Sequence, residues 1–195
     1  MIQFICKLIG LPIYYLLFFP KVIGRGNIRI KGSAIVISNH INWFDPLTII
    51  ATFNREIHWM GKSELFENKL AGLFFRAVSV FPVRRGEVDM VMIRHAFNLM
   101  RKGKVIGMFP EGTRSKGDRI AKFEPGTSVI ALKTDTPVIP VYIKGSYKLF
   151  ARIKIVVGEP VHLKDYVGKK TDATATAAAN ELLQNKVKEL RDQII

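Results

Sequence analysis

His40 and Asp45, within the stretch SNHINWFD, place an imidazole and a carboxylate near enough in sequence to share a proton. A carboxylate that accepts from one ring nitrogen fixes the tautomer and leaves the other nitrogen as a base near neutral pH. General-base catalysis of that kind contributes roughly 10²–10⁴-fold in rate. Regular secondary structure does not join the two. Five helical steps rotate the chain by about 500°, off a shared face, and five strand steps leave the side chains on opposite faces, about 16 Å apart. They meet only if the chain turns between them. A simpler reading is also open: a turn histidine satisfied locally, beside an Asp45 that caps the next helix. One carboxylate can fill both roles, one oxygen for each.

No nucleophile accompanies the pair. PGTSVI lacks the second glycine of a Gly-x-Ser-x-Gly elbow, and Cys6 lies in the N-terminal apolar run. The base would therefore act on a substrate group, and a bound hydroxyl attacking an activated acyl group suits it without a covalent enzyme intermediate. In GMFPEGTRS, Gly107 and Gly112 have the Walker spacing, but Thr113 and Arg114 stand where Lys and Ser/Thr belong. That argues against a nucleotide P-loop. What is left is a compact loop in which Gly112 permits close backbone approach and Arg114 offers a planar fork to phosphate oxygens. Glu111 is expected to hold an arginine or a substrate hydroxyl. Arg84 and Arg85 follow VFPV, and because neighbours on an extended chain point oppositely, one of the two is expected to reach the same phosphate. His40, His58, His95 and His162 are scattered, with no His-Glu-x-x-His or Asp-rich cluster, so no metal is expected. Trp43 and Phe44 beside the base, and Trp59, suit a core, a membrane contact or a lipid substrate.

The elements that must position these residues read as alternating strands and helices. Apolar, β-branched runs at 34–38, 56–60, 79–83, 104–109, 136–143 and 152–158 predict strands. Between them, 45–53, 65–78, 88–102 and 125–135 predict helices, followed by an Ala-rich helix from Asp172 to Ile195. Asp45 is the expected N-cap of the first of these, with Pro46 at its first helical position. The prolines of TPVIPVYI suggest strand ends or a sheet edge. The fold class is α/β: a largely parallel or mixed sheet layered by helices, with an N-terminal apolar membrane-contact helix. Ligands gather at strand ends in such sheets, and NHINWFD, PVRRG and FPEGTRS all fall there.

The chain has 195 residues, 30 Lys and Arg against 16 Asp and Glu, a net charge of +14 and one cysteine. Its length fits one domain, the lone cysteine excludes an intramolecular disulfide, and the charge points to a polyanionic partner such as lipid headgroups, nucleic acid or an acidic protein. LIGLPIYYLLFF is too short to span a bilayer and Pro12 is expected to interrupt it. Lys21, Arg25, Arg29 and Lys31 follow it. Residues 1–31 read as a membrane-anchoring segment with a basic flank lying in the interface, and 32–195 as the remaining domain. The location this implies is the membrane, on its cytoplasmic face.

Four blocks in order carry a resemblance to the glycerolipid acyltransferases, most of all the bacterial 1-acyl-glycerol-3-phosphate acyltransferases. NHINWFD resembles the family's His-x4-Asp motif, VFPVRRG its second block, FPEGTRS its third and TPVIPVYI, with GS after it, its fourth. The resemblance implies that His40, oriented by Asp45, deprotonates the free hydroxyl of a lysophospholipid acceptor for attack on an acyl thioester. It implies phosphate binding by Arg85, the family arginine of the two, and an acceptor site formed with Glu111, Gly112, Thr113 and Arg114. No cofactor is implied. Acyl-acyl-carrier protein or acyl-coenzyme A is the donor substrate, an anionic membrane surface is a partner, and nucleic acid is not. Asn42 stands where the family often has serine, and Ser79 where it often has glycine. A basic membrane or nucleic-acid binder without catalysis is the reading from another class.

Overall fold

The computed structural model describes residues 2–83, 90–115, 117–167 and 172–194. The helices are α1 (Ile2–Phe18), α2 (Asp45–Thr52), α3 (Lys69–Ala77), α4 (Met90–Arg101), α5 (Gly126–Thr134), α6 (Lys164–Val167) and α7 (Ala173–Asp192). The strands are β1 (Lys21–Ile23), β2 (Ala34–Ser38), β3 (Ile57–Lys62), β4 (Val80–Val83), β5 (Val105–Met108), β6 (Val138–Lys144) and β7 (Lys154–Val157). They form one seven-stranded sheet in the order β1-β7-β6-β2-β5-β3-β4. Only β6 and β7 pair antiparallel, so the sheet is mixed.

β2 lies inside the sheet between β5 and β6, and all five of its residues are buried. Its alternating side chains divide the core in two. Ile35 and Ile37 join buried residues of α4, α5 and α7 on one face, while Ala34 and Val36 join α1 and α2 on the other. An uninterrupted apolar run is what a strand covered on both faces requires.

Two expectations are revised. Pro12 does not interrupt the first helix, which runs through it to Phe18 at the loss of one backbone donor. Within residues 1–31, Tyr14 and Phe18 are buried in the core, and Lys21–Ile23 pairs in parallel with β7. Three residues are too few for periodicity to reveal a strand. Pro140 is neither at an end nor at an edge; it sits in β6, opposite Ile37 of β2. The register between Val138↔Val161 and Val141↔Val157 shifts by one residue, and the Pro140 carbonyl accepts from Gly158 at 2.8 Å. A bulge of this kind is where an interior strand tolerates a residue without an N–H. No described helix is long and apolar enough to cross a membrane.

Candidate active site

His40 follows β2, Phe109 follows β5, Lys62 ends β3 and Tyr147 lies just beyond β6. Because β2, β3, β5 and β6 run in one direction, these residues gather at one end of the sheet. The chain turns between His40 and Asp45, and His40 Nδ1 comes 2.7 Å from Asp45 Oδ2. A carboxylate accepts, so Nδ1 donates to Asp45 and Nε2 is the ring nitrogen left for another partner.

Asp45 is not the expected N-cap. Phe44 occupies that position, Asp45 and Pro46 follow it inside α2, and the Asp45 side chain bonds none of the helix donors beyond it. It folds back over the turn. Oδ2 accepts from the backbone N–H groups of Ile41 at 2.6 Å and Asn42 at 2.7 Å as well as from His40, and Oδ1 accepts from the Tyr147 hydroxyl at 2.8 Å. The residue is fully buried. Asn42 makes its side-chain bond to the Phe44 N–H at 3.1 Å, so its amide supports the turn rather than the imidazole. Asn39 anchors the start of the turn, giving and taking a bond with the Ile143 backbone of β6.

The loop after β5 is tied to the same turn. Glu111, expected to hold an arginine or a substrate hydroxyl, takes donors from its own chain. Its Oε1 accepts from the His40 backbone N–H at 2.9 Å, and its Oε2 from Ala121 N–H at 2.7 Å and from the Ser115 hydroxyl. Ser115 N–H donates to the His40 carbonyl at 2.8 Å. Glu111 therefore clamps the loop onto the turn. Gly112 has φ +67°, and a Cβ there would meet nothing closer than Glu124 Cγ at 3.6 Å. Backbone conformation, not close approach, is what calls for glycine. Thr113 and Arg114 face outward, with the Arg114 guanidinium 4.1 Å above the Trp43 ring.

Beside His40 opens a groove of about 540 Å³, within the size range of small-ligand sites. Trp43, Leu47, Ile50, Phe74 and Phe75 give it an apolar wall, and Lys62, Thr113 and Arg114 supply polar groups at its rim. Lys62 pairs with Glu64 at 2.6 Å and holds that carboxyl down to about 2. A ring pile supports the imidazole: His40 stacks on Phe109 at 4.1 Å, and Phe109 on Trp59 at 5.1 Å. A second depression, of about 600 Å³, lies at the opposite end of the sheet beside Arg94, Arg101 and Lys133, away from these groups. Arg85 lies outside the described residues. Among the described residues no group of His, Cys, Asp and Glu side chains could hold a metal ion.

The structure thus brings together His40, Asp45, Glu111, Gly112, Thr113 and Arg114. Sequence reasoning missed Tyr147, Thr48, Tyr14, Phe109 and Asn39. Of these, Asn39 and Phe109 open the blocks NHINWFD and FPEGTRS and could have been suspected from position. The two tyrosines carry no local signal.

The His40–Asp45 pair, a loop clamped onto its turn and an apolar groove lie together at the ends of parallel strands, and residues 20–144 match the family described as Acyltransferase. The chain belongs to that family. It is similar to the 1-acyl-sn-glycerol-3-phosphate acyltransferase of Bacillus subtilis, 29% identical over 180 residues that cover 89% of each chain. The protein of the same description from Borreliella burgdorferi is 29% identical over 176 residues, covering 89% of this chain and 69% of that one. The crystal structure of the 1-acyl-sn-glycerophosphate acyltransferase from Thermotoga maritima superposes with a TM-score of 0.70 at 25% identity, covering 97% of this chain and 78% of that one. The protein is an enzyme of the O-acyltransferase class.

Proposed function

We propose that this enzyme transfers a fatty acyl chain from an acyl thioester to the free hydroxyl of 1-acyl-glycerol-3-phosphate, giving phosphatidate, with His40 as general base. The observation that carries the reading is the 2.7 Å contact between His40 Nδ1 and a fully buried Asp45, at the mouth of an apolar groove. With Nδ1 occupied, Nε2 takes the proton of the acceptor hydroxyl as its oxygen attacks the thioester carbonyl. The tetrahedral intermediate collapses, the C–S bond breaks, and the imidazolium returns the proton to the departing thiolate. No covalent enzyme intermediate forms. The apolar wall suits acyl chains, while Arg114 and Arg85 supply guanidinium forks for the acceptor phosphate. The donor is the thioester of acyl-carrier protein or coenzyme A, and no cofactor takes part.

The reading also places the enzyme at an anionic membrane surface on the cytoplasmic side. Support comes from the net charge of +14 and from exposed apolar side chains on and directly after α1, among them Ile13, Leu16 and Phe19.

Thioester consumption by the purified protein, profiled over lysophosphatidate, other lysophospholipids and amino-lipids, tests the acceptor. Lysophosphatidate is expected to give the highest kcat/KM, and an equal rate with an acceptor lacking phosphate would displace it. His40→Ala is expected to lower turnover by roughly 10²–10⁴-fold with vesicle binding retained; wild-type rates would remove it as the base. Arg85→Ala is expected chiefly to raise KM for the phosphorylated acceptor, and an unchanged KM would take Arg85 out of the phosphate site.

A further inference from the structure

We propose that Tyr147 is a positioning residue for the His40–Asp45 pair, and that through Thr48 and Tyr14 it makes the N-terminal helix part of the same hydrogen-bonded unit. The role assigned to His40 rests on the functional reading above. The Tyr147 hydroxyl donates to Asp45 Oδ1 at 2.8 Å and lies 2.7 Å from Thr48 Oγ1, and the Tyr14 hydroxyl donates to Thr48 Oγ1 at 2.9 Å. Three segments distant in sequence supply the line: Tyr14 from α1, Thr48 from α2, and Tyr147 from the segment after β6.

Proton counting gives the line its direction. Each hydroxyl has one proton to donate, and an ionised carboxylate only accepts. Tyr147 spends its proton on Asp45 and can therefore only accept from Thr48; Thr48 in turn accepts from Tyr14. All three O–H dipoles then point toward Asp45, an arrangement in which each bond polarises the next. The Thr48 hydroxyl also has the Phe44 carbonyl as an acceptor at 3.1 Å, so its one proton is shared between that carbonyl and Tyr147, of which Tyr147 is the nearer at 2.7 Å. Burial pushes the Tyr14 phenol up to about 12, and burial followed by the charge of Asp45 raises that of Tyr147 further. Both stay protonated, as donors must.

The effect on His40 is geometric. Oδ2 carries three donors and Oδ1 has Tyr147. Removing that hydroxyl leaves one oxygen of a buried carboxylate without its donor, and the carboxylate is then free to turn about its Cβ–Cγ bond. The lone pair facing Nδ1 loses its aim, and with it the tautomer that leaves Nε2 as base. The other charged groups around the imidazole lie elsewhere: Glu111 bonds its backbone N–H, and Lys62 and Arg114 stand across the groove. Phe109 covers a ring face and carries no charge.

The test is histidine ¹⁵N NMR on the full-length protein in detergent micelles, with the His40 signals assigned by their loss in His40→Asn, run alongside steady-state kinetics. Wild type is expected to show one tautomer, protonated on Nδ1. Tyr147→Phe is expected to show a mixture of tautomers, a kcat about tenfold lower and an acceptor KM within about twofold of wild type. Thr48→Val, which keeps the side-chain shape, should move the same readouts less, and Tyr14→Phe least. Tyr142→Phe is the control: that hydroxyl bonds Asp118 at 3.2 Å, and the ring belongs to the core on the other face of the sheet. If Tyr147→Phe and Thr48→Val both lower Tm but keep the single tautomer and the wild-type kcat, the line is packing only and the proposal fails. If wild type consumes no thioester with any lysolipid, the functional reading fails, while the tautomer measurement still decides the positioning.

Discussion

Asp45 and His58 show how differently two polar side chains, one buried and one half-buried, can be provided for. Asp45 has a donor for every direction its carboxylate faces, whereas His58 Nε2 is buried without a hydrogen-bond partner, 3.9 Å from Glu56. Loss of solvent around His58 holds its imidazole below the ordinary 6.5, with Glu56 opposing and Lys104 assisting. Once unfolded, the same ring binds a proton near that ordinary value. Between the unfolded value and the lower folded one, the unfolded chain therefore holds more protons, and stability falls as pH falls. Tm is expected to decrease on going from pH 7.5 to pH 5.5, and His58→Gln should flatten that slope; an equal slope in the variant would acquit His58. Glu56 acts in a separate window. The Ser79 hydroxyl holds its carboxyl below the ordinary 4.5, so what it contributes is present above that value and is lost only at more acid pH.

At the scale of elements, β5 carries a glycine that a one-dimensional reading treats as a weakness. Gly107 stands directly opposite Trp59 in the β3–β5 ladder, and a Cβ on it would lie 2.7 Å from Trp59 Cε3 and Cζ3 and 2.8 Å from Ile57 Cγ2. The indole fills the space the glycine leaves, then supports Phe109, which supports His40. Gly107→Ala is expected to cost about 1–3 kcal/mol by overpacking and to lower kcat by tilting the ring pile. Gly126→Ala, whose Cβ would meet only Met108 Cε at 4.0 Å, should leave both nearly unchanged. A loss of stability at Gly107 without a loss of kcat would uncouple the pile from the base. Trp59 also shows what the sequence could and could not disclose. Its strand was legible from the apolar run, and so were the turn holding His40 and Asp45 and the loop from Glu111 to Arg114, because each is a local pattern. The pairing of Trp59 with Gly107 depends on strand order, and the bond from Tyr147 to Asp45 spans 102 residues. No local periodicity reports either. Asp45 differs from the expected cap because three donors of its own turn hold Oδ2, while the one on Oδ1 comes from beyond β6.

Over the whole molecule, exposed apolar groups gather on segments that touch one another. Phe18 and Phe44 meet at 5.8 Å, Phe44 and Tyr147 at 5.7 Å, and the Phe150 N–H donates to the Leu17 carbonyl at 2.9 Å, so α1, the His40 turn and the segment after β6 form one rim. Leu16, Phe19, Trp43, Leu149 and Phe150 stand exposed on it, and Leu70, Leu73 and Phe74 of α3 stand exposed, Phe74 in the groove wall beyond. Contiguous apolar surface of this kind marks an interaction site, and each cation held close to an anionic leaflet adds roughly 1 kcal/mol. The two contributions separate by salt, because screening shortens from about 10 Å at 0.1 M to about 3 Å at 1 M while apolar insertion persists. Sedimentation with phosphatidylglycerol vesicles is therefore expected to weaken at 1 M salt without vanishing, and to exceed that with phosphatidylcholine vesicles at low salt. Leu16→Asp combined with Phe19→Asp should reduce the salt-resistant part and raise KM for an acceptor presented in vesicles, yet leave kcat with detergent-dispersed acceptor close to wild type, because neither side chain reaches the dyad. Unchanged sedimentation in that double variant would show that the rim of α1 does not meet the bilayer.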